Sequence, residues 1–166
     1  MMTNTTYDIN KNIRQWTYQY CTEFGWFQEP NTLFPTRSQS LNADFWIDYC
    51  QRIYSPSIAP PAIAFSNSYF GGLEITGKNI YFLTASEDPW QFAGMTSIYD
   101  PSKQSEMKAW HIECVDCGHC VDLHEANNSD PENLVEARTD VWNTIVQWLK
   151  EDAQERGLLV KYDQFD

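Results

Sequence analysis

Residues 79–90 read NIYFLTASEDPW, an apolar run that leads directly into an acidic loop containing a proline. The run at 79–84 is short and bounded by turn-forming residues, so it predicts a buried strand. Residues 109–114, AWHIEC, predict a second strand. Two such strands followed by a long helix are typical of the end of a parallel α/β sheet.

The segments before these strands are predicted to be mainly helical. Residues 10–27 carry apolar side chains at spacings of three and four, which predicts a helix whose regular part ends at Gly25. Residues 28–40 are rich in Pro, Ser and Thr and predict a loop, and residues 41–54 predict a second helix.

Prolines and glycines limit the helices in the middle of the chain. Residues 55–72 contain three prolines and end in Gly71-Gly72, which excludes a long helix there. Residues 131–154 predict the longest helix, because Pro131 and an acidic residue follow a capping segment and an apolar stripe continues through the range. We expect this stripe to pack in the core.

Composition and charge exclude several classes of protein. The 166 residues are 42% hydrophobic and 15% aromatic, which suggests one compact domain with a core. A net charge of −12 repels phosphate groups, and we therefore expect no binding to nucleic acid or to an anionic membrane surface. The sequence contains no run of 18 apolar residues that could span a bilayer.

The first residues are polar and lack the apolar core of a signal peptide. Two explanations remain open: the protein is cytosolic, or this sequence begins inside a longer chain. Five cysteines and N-glycosylation sequons at Asn4 and Asn127 favour an exported parent.

The two predicted strands are each followed by a residue that could take part in acid–base chemistry. Asp88 follows the first strand and His119 follows the second after a short loop. If the strands are parallel, both loops open at the same edge of the sheet, where sites in α/β proteins form. Asp before His is the order of a hydrolase triad, in which the carboxylate orients the imidazole. The alternative is a turn-forming Asp-Pro and a structural histidine.

Four segments resemble family S28 of serine peptidases. RQWTYQYCTEFGWFQ at 14–28 is similar to a segment of the family's helical cap, and residues 68–95 resemble its buried strand and Asp-Pro-Trp loop. GHCVDL at 118–123 resembles the loop of its catalytic histidine, and EARTDVWNTIVQWL at 136–149 its terminal helix. The family has Asn-Gly or Ser-Gly where this chain has Ala85-Ser86, so the acidic loop is expected to differ slightly.

This resemblance implies the C-terminal part of an α/β-hydrolase fold with an incomplete sheet. Residues 1–60 would be the end of the helical cap and residues 61–166 part of the hydrolase domain. Asp88 would be the triad acid and His119 the triad base of an exopeptidase that cleaves peptides beside proline or a small residue. A lysosomal or secreted parent enzyme, a peptide substrate and no cofactor are implied, and a homodimer of the full-length enzyme is allowed.

The nucleophilic serine is expected to lie outside this chain. The nearest imitation of its motif is at Ser68, but an elbow serine needs a strand before it and a helix after it. Residues 61–65 could be such a strand, yet no helix fits between Ser68 and the strand at 79. We therefore predict that the chain alone has no peptidase activity.

Two groups of cysteines have different predicted roles. Cys21 and Cys50 lie on the two predicted helices of the first half and could join them in a disulfide. Cys114, Cys117 and Cys120 form C-x-x-C-x-x-C beside His119, a spacing that could bind zinc or an iron–sulfur cluster. The triad interpretation requires that no metal binds there.

Two residues are predicted to contact substrate. Glu23 lies in a segment that the family places near its cleft and could hold the amino terminus of a peptide, although a solvated helix-end glutamate is an equally good interpretation. Trp90 could line a proline-sized pocket or belong to the core. Alternative functions are a non-catalytic peptide-binding relative, a metal-binding module, and a lipase or esterase.

Overall fold

The computed structural model describes residue 5 and residues 12–97 and 99–158. The chain divides into two compact units, Met1–Ile75 and Thr76–Asp166, rather than the one domain that its length suggested. The boundary between a cap region and a hydrolase domain at 60/61 stays a prediction. Asn4 lies outside the described residues.

The first unit is helical. Helix α1 covers Ile13–Gln19 and continues as a π-helical turn, Tyr20–Phe24. The predicted end at Gly25 is confirmed, because Gly25 has a positive φ of 71° and a Cβ there would meet the Ile63 side chain at 2.7 Å. Phe27, which the periodicity included in the helix, lies beyond this break.

Helix α2, Ala43–Ile53, is joined to the π-helical turn by a disulfide between Cys21 and Cys50, as the sequence predicted. Both cysteines are fully buried. The helix begins at Asn42, whose side-chain oxygen accepts a hydrogen bond from the Phe45 N–H at 3.1 Å. The disulfide therefore fastens together the two helical segments that precede and follow the loop at 28–40.

Helix α3, Ile63–Phe70, is short, as the prolines and the glycine pair predicted. Residues 61–65, considered above as a strand, are helical from Ile63 onward, so that interpretation was wrong. Proline is tolerated before the first turn of a helix, and Gly71 ends the helix in the left-handed conformation with φ 94°. A 3₁₀ turn, Gly72–Glu74, follows.

Hydrogen bonds explain why α3 belongs to the first unit. The Ala62 N–H donates to the Thr22 carbonyl at 2.9 Å, and the buried Ser66 hydroxyl donates to the Glu23 carbonyl at 3.1 Å. Both acceptors lie in the π-helical turn.

The second unit contains a parallel two-stranded sheet. Strand β1 covers Ile80–Ala85 and β2 covers Met107–Ile112, with Ile80 opposite Met107 and Ala85 opposite Ile112. The strands are displaced by one or two residues from the predicted 79–84 and 109–114. Strand β2 ends at Ile112 because the backbone of Cys114 bonds to the Ser86 side chain instead of continuing the ladder.

Helix α4, Glu132–Glu155, covers one face of this sheet. Leu134 and Ala137 join Ala85 and Ile112 in the buried core, together with Cys117. The 3₁₀ turns Gln91–Ala93 and Met95–Ser97 lie on the chain between the strands, and Met95 is buried.

The apolar stripe predicted for the last helix is only partly buried. Leu134 is buried, but Val135, Trp142 and Leu149 remain 48%, 50% and 59% exposed. A helix of 24 residues is about 36 Å long, whereas strands of six residues span only about 20 Å. The two-stranded sheet therefore cannot cover the whole helix.

The second unit is thus a mixed helix and strand structure with a parallel pair of strands. Its assignment to an α/β-hydrolase fold stays a prediction. Within residues 12–97 and 99–158, no helix is both long enough and apolar enough to cross a membrane.

Candidate active site

The candidate site lies where β1 and β2 end. The chain turns sharply after β1, with the Asp88 N–H donating to the Ala85 carbonyl at 3.0 Å and the Gln91 N–H donating to the Asp88 carbonyl at 3.0 Å. The Gln91 side-chain amide also donates to the Ser86 carbonyl at 2.7 Å. This turn directs the Asp88 side chain inward, where only 8% of it is exposed.

The Asp88 carboxylate is held by two different donors. Oδ1 accepts a hydrogen bond from the Trp90 backbone N–H at 2.8 Å, and Oδ2 lies 2.8 Å from His119 Nδ1. The two loops therefore bring Asp88 and His119 into contact, as their order in the sequence predicted. A carboxylate fixed at one oxygen presents the other in a defined direction.

The imidazole of His119 is bound on one side and open on the other. Its side chain is 54% exposed, and the Trp90 ring meets it edge-on with centroids 4.9 Å apart. Hydrogen bonding to Asp88 fixes the proton of neutral His119 on Nδ1. No hydrogen bond joins its Nε2 to any group in the described part of the chain, which leaves that nitrogen available to take a proton.

Backbone contacts tie the two loops together. The Ser86 hydroxyl donates to the Cys114 carbonyl at 2.9 Å and accepts from the Cys114 N–H at 3.2 Å. The Glu87 N–H donates to the Cys117 carbonyl at 3.1 Å. The role of Ser86 was not predicted from the sequence, where this position stood out only as a departure from the family pattern.

A disulfide joins Cys114 and Cys117, whose Cα atoms are 5.5 Å apart. The sequence analysis treated these cysteines only as possible metal ligands, and this bond was missed. It occupies two of the three thiols of the C-x-x-C-x-x-C cluster, so in this structure these two are not available as metal ligands. Across residues 12–97 and 99–158, no group of three or more His, Cys, Asp or Glu is arranged to hold a metal ion.

Cys120 is a free, exposed thiol next to His119. Partial desolvation, with the negative charges of Asp122 and Asp88, raises the pKa of this thiol. The reactive thiolate form is therefore disfavoured.

The other residues singled out from the sequence lie elsewhere. Glu23 belongs to the π-helical turn of the first unit, and Ser68 is an exposed residue inside α3 rather than at a strand-to-helix turn. Trp90 contacts His119, as described. Contact of Glu23 or Trp90 with a substrate stays a prediction.

Known proteins are similar in sequence to most of this chain. The sequence profile of the family described as serine carboxypeptidase S28 matches residues 1–141, most of the chain. The chain belongs to this family. Among curated relatives of this S28 chain, a probable serine protease of Arabidopsis thaliana is 31% identical over 91% of the chain. The thymus-specific serine protease of Mus musculus is 29% identical over 83% of it.

A probable extracellular serine carboxypeptidase of Arthroderma benhamiae is more distant, at 21% identity over 86% of the S28 chain. The chain spans only part of these proteins, 32% of the Arabidopsis protein and 26% of the mouse protein. The resemblance to family S28 is therefore confirmed, while the activity of a whole enzyme is a matter for proposal.

Proposed function

We propose that this S28 chain supplies the acid and the base of a Ser-Asp-His triad in a serine-type exopeptidase. Asp88 is the acid and His119 the base, and the nucleophilic serine comes from sequence outside this chain. The observation that carries the proposal is the 2.8 Å contact between His119 Nδ1 and Asp88 Oδ2. Family membership supports the reaction class.

The geometry suits the work of a triad. The serine hydroxyl gives its proton to Nε2 of His119 as its oxygen attacks the scissile carbonyl, and the imidazolium later protonates the leaving amine. Asp88 keeps neutral His119 in the Nδ1–H tautomer and stabilises the imidazolium. Because the Asp88 side chain is only 8% exposed, water competes little for its carboxylate oxygens.

The substrate is a peptide cleaved near one end, beside proline or a small residue. Trp90 offers a flat apolar wall beside His119, which suits a proline ring, and Glu23 offers a carboxylate for a peptide amino group. Action as a prolyl carboxypeptidase or as a dipeptidyl peptidase fits the same machinery. The reaction implies no cofactor. We place the parent enzyme in the lysosome or outside the cell, and the family resemblance allows a homodimer.

The test begins with the transcript sequence upstream of Met1. We expect an in-frame G-x-S-x-G between a predicted strand and a predicted helix. The extended protein should cleave proline-containing peptides, and Asp88→Asn and His119→Ala should each lower kcat by about 10⁴-fold. His111→Ala is the matched control, because this histidine lies on β2 and its Nδ1 contacts the Thr84 hydroxyl, and the substitution should leave kcat unchanged within a few-fold.

The chain of 166 residues should show no peptidase activity by itself. Proline-directed cleavage by the purified chain that disappears in His119→Ala would contradict the external nucleophile. An extended protein that binds these peptides without cleaving them would instead support a non-catalytic relative.

A further inference from the structure

Arg138 lies in α4 and directs its guanidinium into the loop that carries His119. Nη2 donates to the carbonyls of Val121 at 3.0 Å and His124 at 2.9 Å, and Nε donates to the carbonyl of Asp122 at 3.0 Å. Nη1 pairs with the Asp130 carboxylate. The side chains of Arg138 and Asp130 are only 19% and 10% exposed, so the bonds to Val121, Asp122 and Asp130 are partly shielded from water, while the bond to His124 is exposed.

The segment that Arg138 binds is a short turn, in which Val121 packs against the buried core. Residues 121–123 form a single 3₁₀ turn, preceded by Cys120 with a positive φ of 59°. Its backbone hydrogen bonds are local, such as the 3.4 Å bond from the Val121 N–H to the Gly118 carbonyl. Arg138 instead connects this turn to a helix of 24 residues. A planar guanidinium can serve several acceptors in fixed directions, which an ammonium group cannot do.

The His119 side chain contacts Asp88 and Trp90, but more than half of it is exposed, so its position also depends on how the neighbouring backbone is held. Two residues before it, Cys117 is held by the Glu87 N–H and by the disulfide to Cys114. Two residues after it, Val121 is held by Arg138. The position of the imidazole against Asp88 therefore depends on attachments on both sides of His119. Arg138 supplies the hydrogen bond on the C-terminal side, where Val121 also packs against the core.

We propose that Arg138 is a positioning residue that holds His119 in hydrogen-bonding distance of Asp88. Its importance for catalysis rests on the function proposed above. Asp130 supports Arg138 in this role, because its carboxylate orients the guanidinium and itself accepts a hydrogen bond from the Asn127 N–H at 3.0 Å. A displacement of a catalytic group by about 1 Å can lower a rate about 100-fold, so residues that hold His119 in place should affect the reaction rate.

The test uses NMR of the whole chain labelled with ¹⁵N-histidine, with the imidazoles neutral. The ¹⁵N shifts of His119 report the ratio of its Nδ1–H and Nε2–H tautomers. In the wild-type chain Nδ1–H should predominate, because Asp88 accepts that proton. In Arg138→Met we expect the ratio to fall by about tenfold, equivalent to about 1.4 kcal/mol, and in Arg138→Lys by an intermediate factor.

Two controls separate positioning from general destabilisation. Arg156→Met removes an exposed arginine at the C-cap of the same helix, which pairs with Asp152, and should leave the ratio unchanged. His111, whose Nδ1 lies 3.1 Å from the Thr84 hydroxyl, is the internal reference and should keep its own tautomer ratio in every variant. Circular dichroism shows whether each variant is folded.

An unchanged ratio at His119 in both Arg138 variants would overturn the proposal. If Arg138→Met does not fold, Arg138→Lys decides alone, and an unchanged ratio there has the same meaning. The measurement needs no nucleophile. Failure to find peptidase activity in the extended protein would therefore refute the proposed function without affecting the role of Arg138, and an unchanged tautomer ratio would refute the role of Arg138 without affecting the proposed function.

Discussion

Removing the Cys21–Cys50 disulfide should cost far more stability than removing the Cys114–Cys117 disulfide. The paired cysteines are 29 residues apart in the first case and 3 in the second. In the chain-entropy relation, closing loops of these lengths stabilises the folded state by about 3.6 and about 1.6 kcal/mol at 25 °C. The expected difference between the two double variants is therefore about 2 kcal/mol.

The variants are Cys21→Ala/Cys50→Ala and Cys114→Ala/Cys117→Ala. Alanine is used in both so that each pair loses the same number of sulfur atoms. Because the chain has two compact units that need not unfold together, a single transition cannot be assumed. Hydrogen exchange followed by mass spectrometry in increasing urea reads α2 and β2 separately and gives a free energy of opening for each.

The reasoning predicts a large loss in α2 for the first variant and a smaller loss in β2 for the second. Equal losses in the two variants would refute it, since loop length would then not decide the stabilisation. A loss below about 1 kcal/mol in α2 would also refute it. Reduction of the wild-type chain should reproduce both losses of stability, one in α2 and one in β2.

Three further outcomes are expected. Ser86→Ala should lower the free energy of unfolding by about 1–3 kcal/mol in urea titrations, because the N–H and the carbonyl of Cys114 both lose their partner. Burial, then the bond to Asp140, raises the pKa of the Tyr81 phenol. The unfolded chain therefore releases this proton first, so stability should decline as the pH rises above about 10, and less steeply in Tyr81→Phe. Asn127 is exposed and, if the protein passes through the secretory pathway, should carry a glycan. The glycan would be visible as a mass shift that Asn127→Gln abolishes.

The features that were predictable from sequence rest on local patterns. The apolar runs give β1 and β2, and the continuous stripe after Pro131 gives α4 to within one residue at each end, although no side chain caps the start of this helix. The meeting of Asp88 and His119 follows from one rule, that neighbouring parallel strands end at the same edge. The Cys21–Cys50 pairing could be predicted because each cysteine lies on a recognisable helix.

The features that were missed depend on contacts between distant residues. Helix α3 is too short for its periodicity to be distinguished from a strand. The Cys114–Cys117 bond uses a spacing that also suits metals, and only the turn of the chain after β2 decides between the two. Arg138 looked like any arginine of an amphipathic helix, because its acceptors are backbone carbonyls that carry no sequence signal.

The contacts that orient the Asp88–His119 pair all come from one continuous stretch of chain, from Ala85 to Arg138. A gene duplication or an altered splice that keeps this stretch whole keeps the Asp88–His119 contact together with its supports. One that interrupts it between Asp88 and His119 separates the pair, whereas one that interrupts it after His119 keeps the pair and loses the hydrogen bonds from Arg138.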